Sequence, residues 1–113
     1  MEVREARATA RQVRISPTKV RQVMQLVAGK HVGDALLALK YSPKKAARIV
    51  EKVLQSAVAN ADHNFGMDVE SLVVARAYAD KGPVMKRFRP VSMGRAHPYR
   101  HQTSHVTIVV AER

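Results

Sequence analysis

The chain has no cysteine. Disulfide scaffolds, thiolate nucleophiles and zinc fingers are excluded together, and a small protein of a reducing cytosol is the expectation. Acids are scarce: nine Asp and Glu stand against twenty Lys and Arg, a formal charge of +11 in 113 residues. Such an excess predicts self-repulsion at neutral pH and attraction to a polyanion. No apolar run approaches a membrane span, and the opening Met1-Glu2-Val3-Arg4-Glu5-Ala6-Arg7 lacks the apolar stretch of a secretory signal. The expected location is therefore the cytoplasm, with no membrane partner. There is no Gly-rich phosphate loop, no visible set of nucleophile, base and orienting acid, and no pairing among Asp34, Glu51, Asp62, Asp68, Glu70 and Asp80. The reading is a protein that is not an enzyme and takes no cofactor. His97, His101 and His105 have the spacing of metal ligands on a helix, but Pro98 and the surrounding pattern put them on a strand or loop. At roughly 13 Å between one and the next in extended chain, they are too far apart for one ion, so no metal is expected.

What the chain does have is an acid-free basic stretch. Between Asp80 and His101, Lys81, Lys86, Arg87, Arg89, Arg95 and Arg100 are set among Phe88, Tyr99 and three prolines. The apolar residues are too few to offset the entropy of ordering it, and its like charges repel. Because it lies between two strand patterns, it reads as the end of a long hairpin held out from a globular body and ordered by surrounding polyanion. Its turn is expected near Ser92-Met93-Gly94, and the part beyond the body should reach on the order of 30 to 40 Å at about 3.3 Å per residue. Arginine beside Phe88 and Tyr99 combines phosphate-binding charge with a stacking surface, which suits unstacked RNA bases and their backbone.

A length of 113 residues is one domain's worth. We expect a body over residues 1–80 and 102–113 and an extended tip over about 81–101. Residues 3–15 alternate, with Ala6, Ala8 and Ala10 on one side and Arg7, Thr9, Arg11 and Val13 on the other. This period of two predicts a strand, and its alanine face requires a closely packed helix. Ser16-Pro17 reads as a helix start, with Val20, Val23, Met24 and Val27 at helical spacing and Gly29 as the stop, giving a first helix over 17–28. A second is expected over 33–41, with Val32, Ala35, Leu36 and Leu39 as its buried stripe. Ser42-Pro43 then opens the longest helix, whose apolar positions Ala46, Ile49, Val50, Val53, Leu54, Ala57 and Ala61 persist for about five turns. Residues 67–79 and 103–111 read as the two arms of the hairpin, the second a central strand because Val106 to Val110 are almost all β-branched.

Two further basic clusters stand apart in the chain: Arg7, Arg11 and Arg14 with Lys19 and Arg21, and Lys44, Lys45 and Arg48. The lysines that open the longest helix work against its dipole, which points to selection for a partner. Three separated clusters suit a protein embedded in folded RNA. The alternative is a helix-turn-helix DNA-binding regulator using the first two helices, although its candidate recognition helix carries only Lys40 as a base.

Taken together, Arg14-Ile15-Ser16-Pro17-Thr18-Lys19-Val20-Arg21, Gly29-Lys30, Ala57-Val58-Ala59-Asn60-Ala61-Asp62-His63-Asn64, Lys81-Gly82-Pro83-Val84-Met85-Lys86-Arg87, Gly94-Arg95-Ala96 and Thr103-Ser104-His105-Val106-Thr107 resemble the bacterial large-subunit ribosomal protein twenty-two family over essentially the whole length. The resemblance implies an α+β fold, three helices packed on a small antiparallel sheet with a long protruding β-hairpin. It implies a structural constituent of the large ribosomal subunit that binds several rRNA domains, supports assembly, neighbours other ribosomal proteins, and is not a homo-oligomer. Contact with rRNA carries over to Lys19, Arg21, Lys86, Arg87, Arg95, Thr103, Ser104 and His105. The tip, Pro90, Val91, Ser92, Met93 and Gly94, is implied to line the exit tunnel and meet the nascent polypeptide. Here that tip is less basic than is usual in the family, with Arg89 and Arg100 nearby as partial replacements.

Overall fold

The computed structural model describes residues 5–82, 85–90, 96–101 and 103–112, with side chains described for 5–82 and 103–112. The element order is β1 (Glu5–Val13), α1 (Pro17–Met24), α2 (Val32–Lys40), α3 (Lys45–Phe65), a 3₁₀ turn (Val69–Ser71), β2 (Leu72–Lys81), β3 (Met85–Pro90), β4 (Ala96–His101) and β5 (Ser104–Glu112). Three helices pack on an antiparallel sheet of order β1-β5-β2, while β3 and β4 form a separate two-stranded ribbon. This is the expected α+β class.

The β-branched strand β5 takes the centre. Its Val106, Ile108 and Val110 face the helices and join the core, and its intervening Thr107, Val109 and Ala111 are also buried. Along β1, the alanine face has the consequence expected of it: α3 crosses the strand closely, Ala6 is buried, Ala8 and Ala10 pack against the core, and Asn60 Nδ2 on α3 donates to the Arg7 carbonyl at 2.9 Å. Small side chains on both surfaces permit that approach. Of the long helix, Ala46, Val50, Val53, Leu54, Ala57 and Ala61 are buried as the spacing predicts, and Ala47 joins them.

Four local expectations need correction. The first helix ends at Met24, because residues 25–30 tighten into successive turns, with Leu26 N–H donating to Val23 O and Lys30 N–H to Val27 O. These turns still drive Val27 into the core, so the apolar spacing survives the end of the helix. Ser42 is not the cap of α3: its hydroxyl accepts from Lys44 N–H at 3.4 Å, ahead of the first turn, the helix begins at Lys45, and the capping position falls to Lys44 without a side-chain bond. Residues 69–71, expected to be strand, form the 3₁₀ turn, which Asp68 caps by accepting from Glu70 N–H at 3.1 Å. Finally, Val13 does not share a face with Arg7 and Arg11. The register shifts between Ala10 and Val13, Gln12 has φ 54°, and Val13 turns toward the core. This is a β-bulge, and the doubled polar pair Arg11-Gln12 that breaks the alternation is its trace in the sequence.

The outer side of β2 is covered where the chain after α1 returns: Gly29 N–H donates to Val74 O at 3.0 Å and Val74 N–H to Lys30 O at 2.8 Å. At the other end, Lys81 pairs with Ser104, Gly82 N–H donates to Thr103 O at 2.9 Å, and the ribbon resumes with Met85 opposite His101. The expected turn at Ser92-Met93-Gly94 lies outside the described residues. The radius of gyration is 17.2 Å and the longest extent 65 Å, whereas a compact chain of this length has a radius near about 13 Å. The molecule is drawn out along one axis.

Candidate nucleic-acid interface

Apart from Arg21 and Arg48, the body cations singled out from the sequence fall into three settings. Arg7 and Arg11 are exposed on β1, with Arg7 opposite Val109 of the central strand. Beyond the bulge, Arg14 and Ser16 lead into α1, where the Ser16 hydroxyl accepts from Lys19 N–H at 3.4 Å and Lys19 occupies the first turn. Lys44 and Lys45 open α3. Neither helix has an acid in its first turn, so cations occupy the end where backbone N–H groups already present positive charge.

Packing of α1 against α3 brings two of these settings together. Arg14, Ile15, Ser16, Lys19 and Gln22 on one side and Lys44, Lys45 and Ala46 on the other line a cleft of about 400 Å³. Clusters some thirty residues apart in the chain thus share one concavity, and no Asp or Glu lines it. Lys44 Nζ donates to Gln22 Oε1 at 3.4 Å across the cleft. Among the described residues Arg14, Lys19 and Lys45 take part in no ion pair; the pairs present there are Arg48 with Glu51 at 3.1 Å and Arg76 with Glu5 at 2.7 Å.

Other residues singled out from the sequence are engaged within the fold. Arg21 donates through Nε and Nη2 to the Ala79 carbonyl at 3.1 and 2.7 Å, tying α1 to β2. Arg48 caps the C-terminal end of α2: Nη2 reaches the carbonyls of Leu39, Lys40 and Ser42, while Nη1 holds Glu51. Ser104 is fully buried and donates to the Ile15 carbonyl at 2.6 Å, and Thr103 is also buried, 1% exposed. His105 is half-buried; its Nδ1 accepts from Gln12 N–H at 3.2 Å, which puts the proton of the neutral ring on Nε2 and ties the bulge of β1 to β5. Nothing in sequence distinguishes these inward-turned polar groups from surface ones except that Ser104 and His105 enter a strand of apolar residues.

Gly82 has a role that its place in the sequence does not reveal. A Cβ built there would lie 2.4 Å from Thr103 Oγ1 and 3.3 Å from the Thr103 backbone. The two strands meet at the hairpin base with no room for a side chain.

On the ribbon, register puts Lys86 opposite Arg100, Arg87 opposite Tyr99, Phe88 opposite Pro98 and Arg89 opposite His97. Opposed like charges are unfavourable in an isolated ladder. Pro90 is the last residue of β3; Val91, Ser92, Met93, Gly94 and Arg95 lie outside the described residues. Among the described residues no group of three or more His, Cys, Asp or Glu is placed to hold a metal ion, and no helix is long and apolar enough to cross a membrane.

The pattern of one family, ribosomal protein L22p/L17e, matches residues 8–111. The chain belongs to the ribosomal protein L22p/L17e family. It is accordingly a structural constituent of the large ribosomal subunit, and its place is in the ribosome. The helix-turn-helix alternative loses its footing here. Besides the family, the exposed positions of α2 include Asp34 and Leu37 with Lys40, a surface without a base-reading cluster.

Proposed function

We propose that this member of the L22p/L17e family binds large-subunit rRNA with its body and its hairpin together and helps the subunit assemble. The observation that carries the reading is the set of exposed cations without acidic partners on several faces of the described body: Arg7 and Arg11 on β1, Arg14 and Lys19 at α1, Lys44 and Lys45 at α3. A protein with a single basic face suits one groove, whereas cations on several faces suit phosphates that surround it. Neutralising those phosphates releases counterions, which supplies much of the affinity.

In this reading the body, residues 1–80 and 102–113, folds first, and the hairpin over about 81–101 threads between rRNA segments. Lys86, Arg87, Arg89, Arg95 and Arg100 meet phosphate along it. Its tip, Pro90, Val91, Ser92, Met93 and Gly94, lines the nascent-peptide tunnel and meets the nascent chain. Thr103, Ser104 and His105 act at the base by fixing the direction in which the ribbon leaves the body, and Arg21 and Arg48 position neighbouring elements. The chain works as a single copy beside other large-subunit proteins, with no catalytic step and no cofactor.

The test is the triple variant Lys86→Ala/Arg87→Ala/Arg95→Ala. The body should keep its wild-type melting temperature within about 2 °C, and affinity for a large-subunit rRNA transcript should fall with a salt slope shallower by roughly one unit for each phosphate that is no longer neutralised. Unchanged affinity and normal subunits from this variant would remove the hairpin from the mechanism.

A further inference from the structure

The cleft between α1 and α3 has chemistry of its own. Four cations from two chain segments, Arg14, Lys19, Lys44 and Lys45, line about 400 Å³ of space that no acid lines. Placing like charges around a concavity raises the free energy of the empty protein, and Lys19 and Lys45 add to this by standing in the first turns of α1 and α3. Such an arrangement, unfavourable in the free protein, favours an anion at the cleft. The lining is not only charged: Ile15 and Ala46, 9% and 3% exposed, reach it beside the aliphatic stems of Arg14, Lys19, Lys44 and Lys45.

We propose that this cleft seats one unpaired RNA nucleotide, with its phosphate on the cations and its base against Ile15 and the aliphatic stems that line the cleft. The proposal rests on the reading of the chain as an rRNA-binding protein and names what part of the RNA this site takes. Size supports it. Ligand clefts run from roughly 300 to 1,000 Å³, and at the small end there is room for a single nucleotide but none for a double helix, which meets only the rim. The chemistry supports it as well: the apolar part of the lining gives nothing to inorganic phosphate but accepts a base, and Gln22, whose amide carries both donors and an acceptor, also lines the cleft. Lys44 leaves Gln22 when a phosphate arrives, since a bond to a charged acceptor is stronger than its 3.4 Å contact with an amide.

Titration of the full chain with a five-nucleotide single-stranded RNA, a blunt RNA duplex and inorganic phosphate, followed by backbone amide shifts, tests the assignment. The single strand should move the amides of Ser16, Lys19 and Lys45 at concentrations about ten-fold below either of the others. An equal response to duplex or phosphate overturns the nucleotide assignment. The variant Lys44→Glu/Lys45→Glu should lose about ten-fold or more in single-strand affinity while its melting temperature stays level or rises by a few degrees, because carboxylates suit a helix N-terminus. Arg14→Gln/Lys19→Gln, which reverses no charge, should lose affinity in the same direction. If the wild type binds an rRNA transcript and both variants bind it equally well, the cleft is not a site and the rRNA reading stands. If the wild type binds no rRNA, both fall together.

Discussion

Gly82 shows how one position can govern an element it does not belong to. Its neighbour across the hairpin base is Thr103, buried and held between the strands, so an added methyl at 2.4 Å from Thr103 Oγ1 has nowhere to go without parting β2 from β5. Overpacking of this kind costs about 1–3 kcal/mol. Gly82→Ala should lower the melting temperature accordingly, and Gly82→Ala/Thr103→Ala should recover part of the loss, as measured by thermal unfolding. A fully additive double variant would show that the two residues do not meet. Ser104, next in the chain, shows the complementary case, since its hydroxyl satisfies the Ile15 carbonyl at 2.6 Å in the interior. Both residues look like polar surface in the sequence because burial is decided by partners remote in the chain.

Among elements, the junction of α2 with α3 is held by a side chain that charge counting would assign to the partner. The last carbonyls of α2 have no intrahelical donor, and Arg48 supplies one from the first turn of α3, with Glu51 steadying the guanidinium. The side chain is half-exposed, so water replaces much of what a truncation removes. Arg48→Ala should cost about 0.5–1.5 kcal/mol of stability. Arg48→Lys should not restore it, because a single ammonium cannot span several carbonyls and a carboxylate in the fixed fork that arginine offers. Equal melting temperatures for wild type and Arg48→Lys would place Arg48 among the free cations after all. The ribbon of β3 and β4 stands at the opposite extreme: a two-stranded element is marginal in water, and opposed Lys86 and Arg100 weaken it further.

For the whole molecule, a charge of +11 acts in opposite directions on folding and on binding. Screening relieves self-repulsion of the free chain, so raising salt from about 10 mM to about 0.5 M should raise its melting temperature by several degrees. The same change should weaken an rRNA complex by orders of magnitude, since counterion release is lost. Calorimetry of the free protein and filter binding of the complex, over one salt series, should therefore slope in opposite senses. Slopes of the same sign would mean that the cations are engaged with the body rather than with phosphate.

The class of the protein and most of its elements are legible in the order of its residues. Periodicity is local, so the buried stripe of α3, the alanine face of β1 and the β-branched centre of β5 could be read without knowing what each packs against, and the charge excess named a polyanion. Where a local rule met a non-local one, the reading slipped. Val27 keeps helical spacing after the helix has ended, Ser42 turns its hydroxyl to Lys44 N–H ahead of α3, and the bulge at Gln12 turns Val13 inward. Which cations stand together depends on packing. Arg48, Arg21 and Lys45 are alike as letters, yet packing commits the first two to carbonyls of neighbouring elements and leaves the third at a cleft with Arg14 and Lys19. The physical reason is that charge is a property of a residue, whereas its compensation depends on the distance to groups that only the folded core brings near.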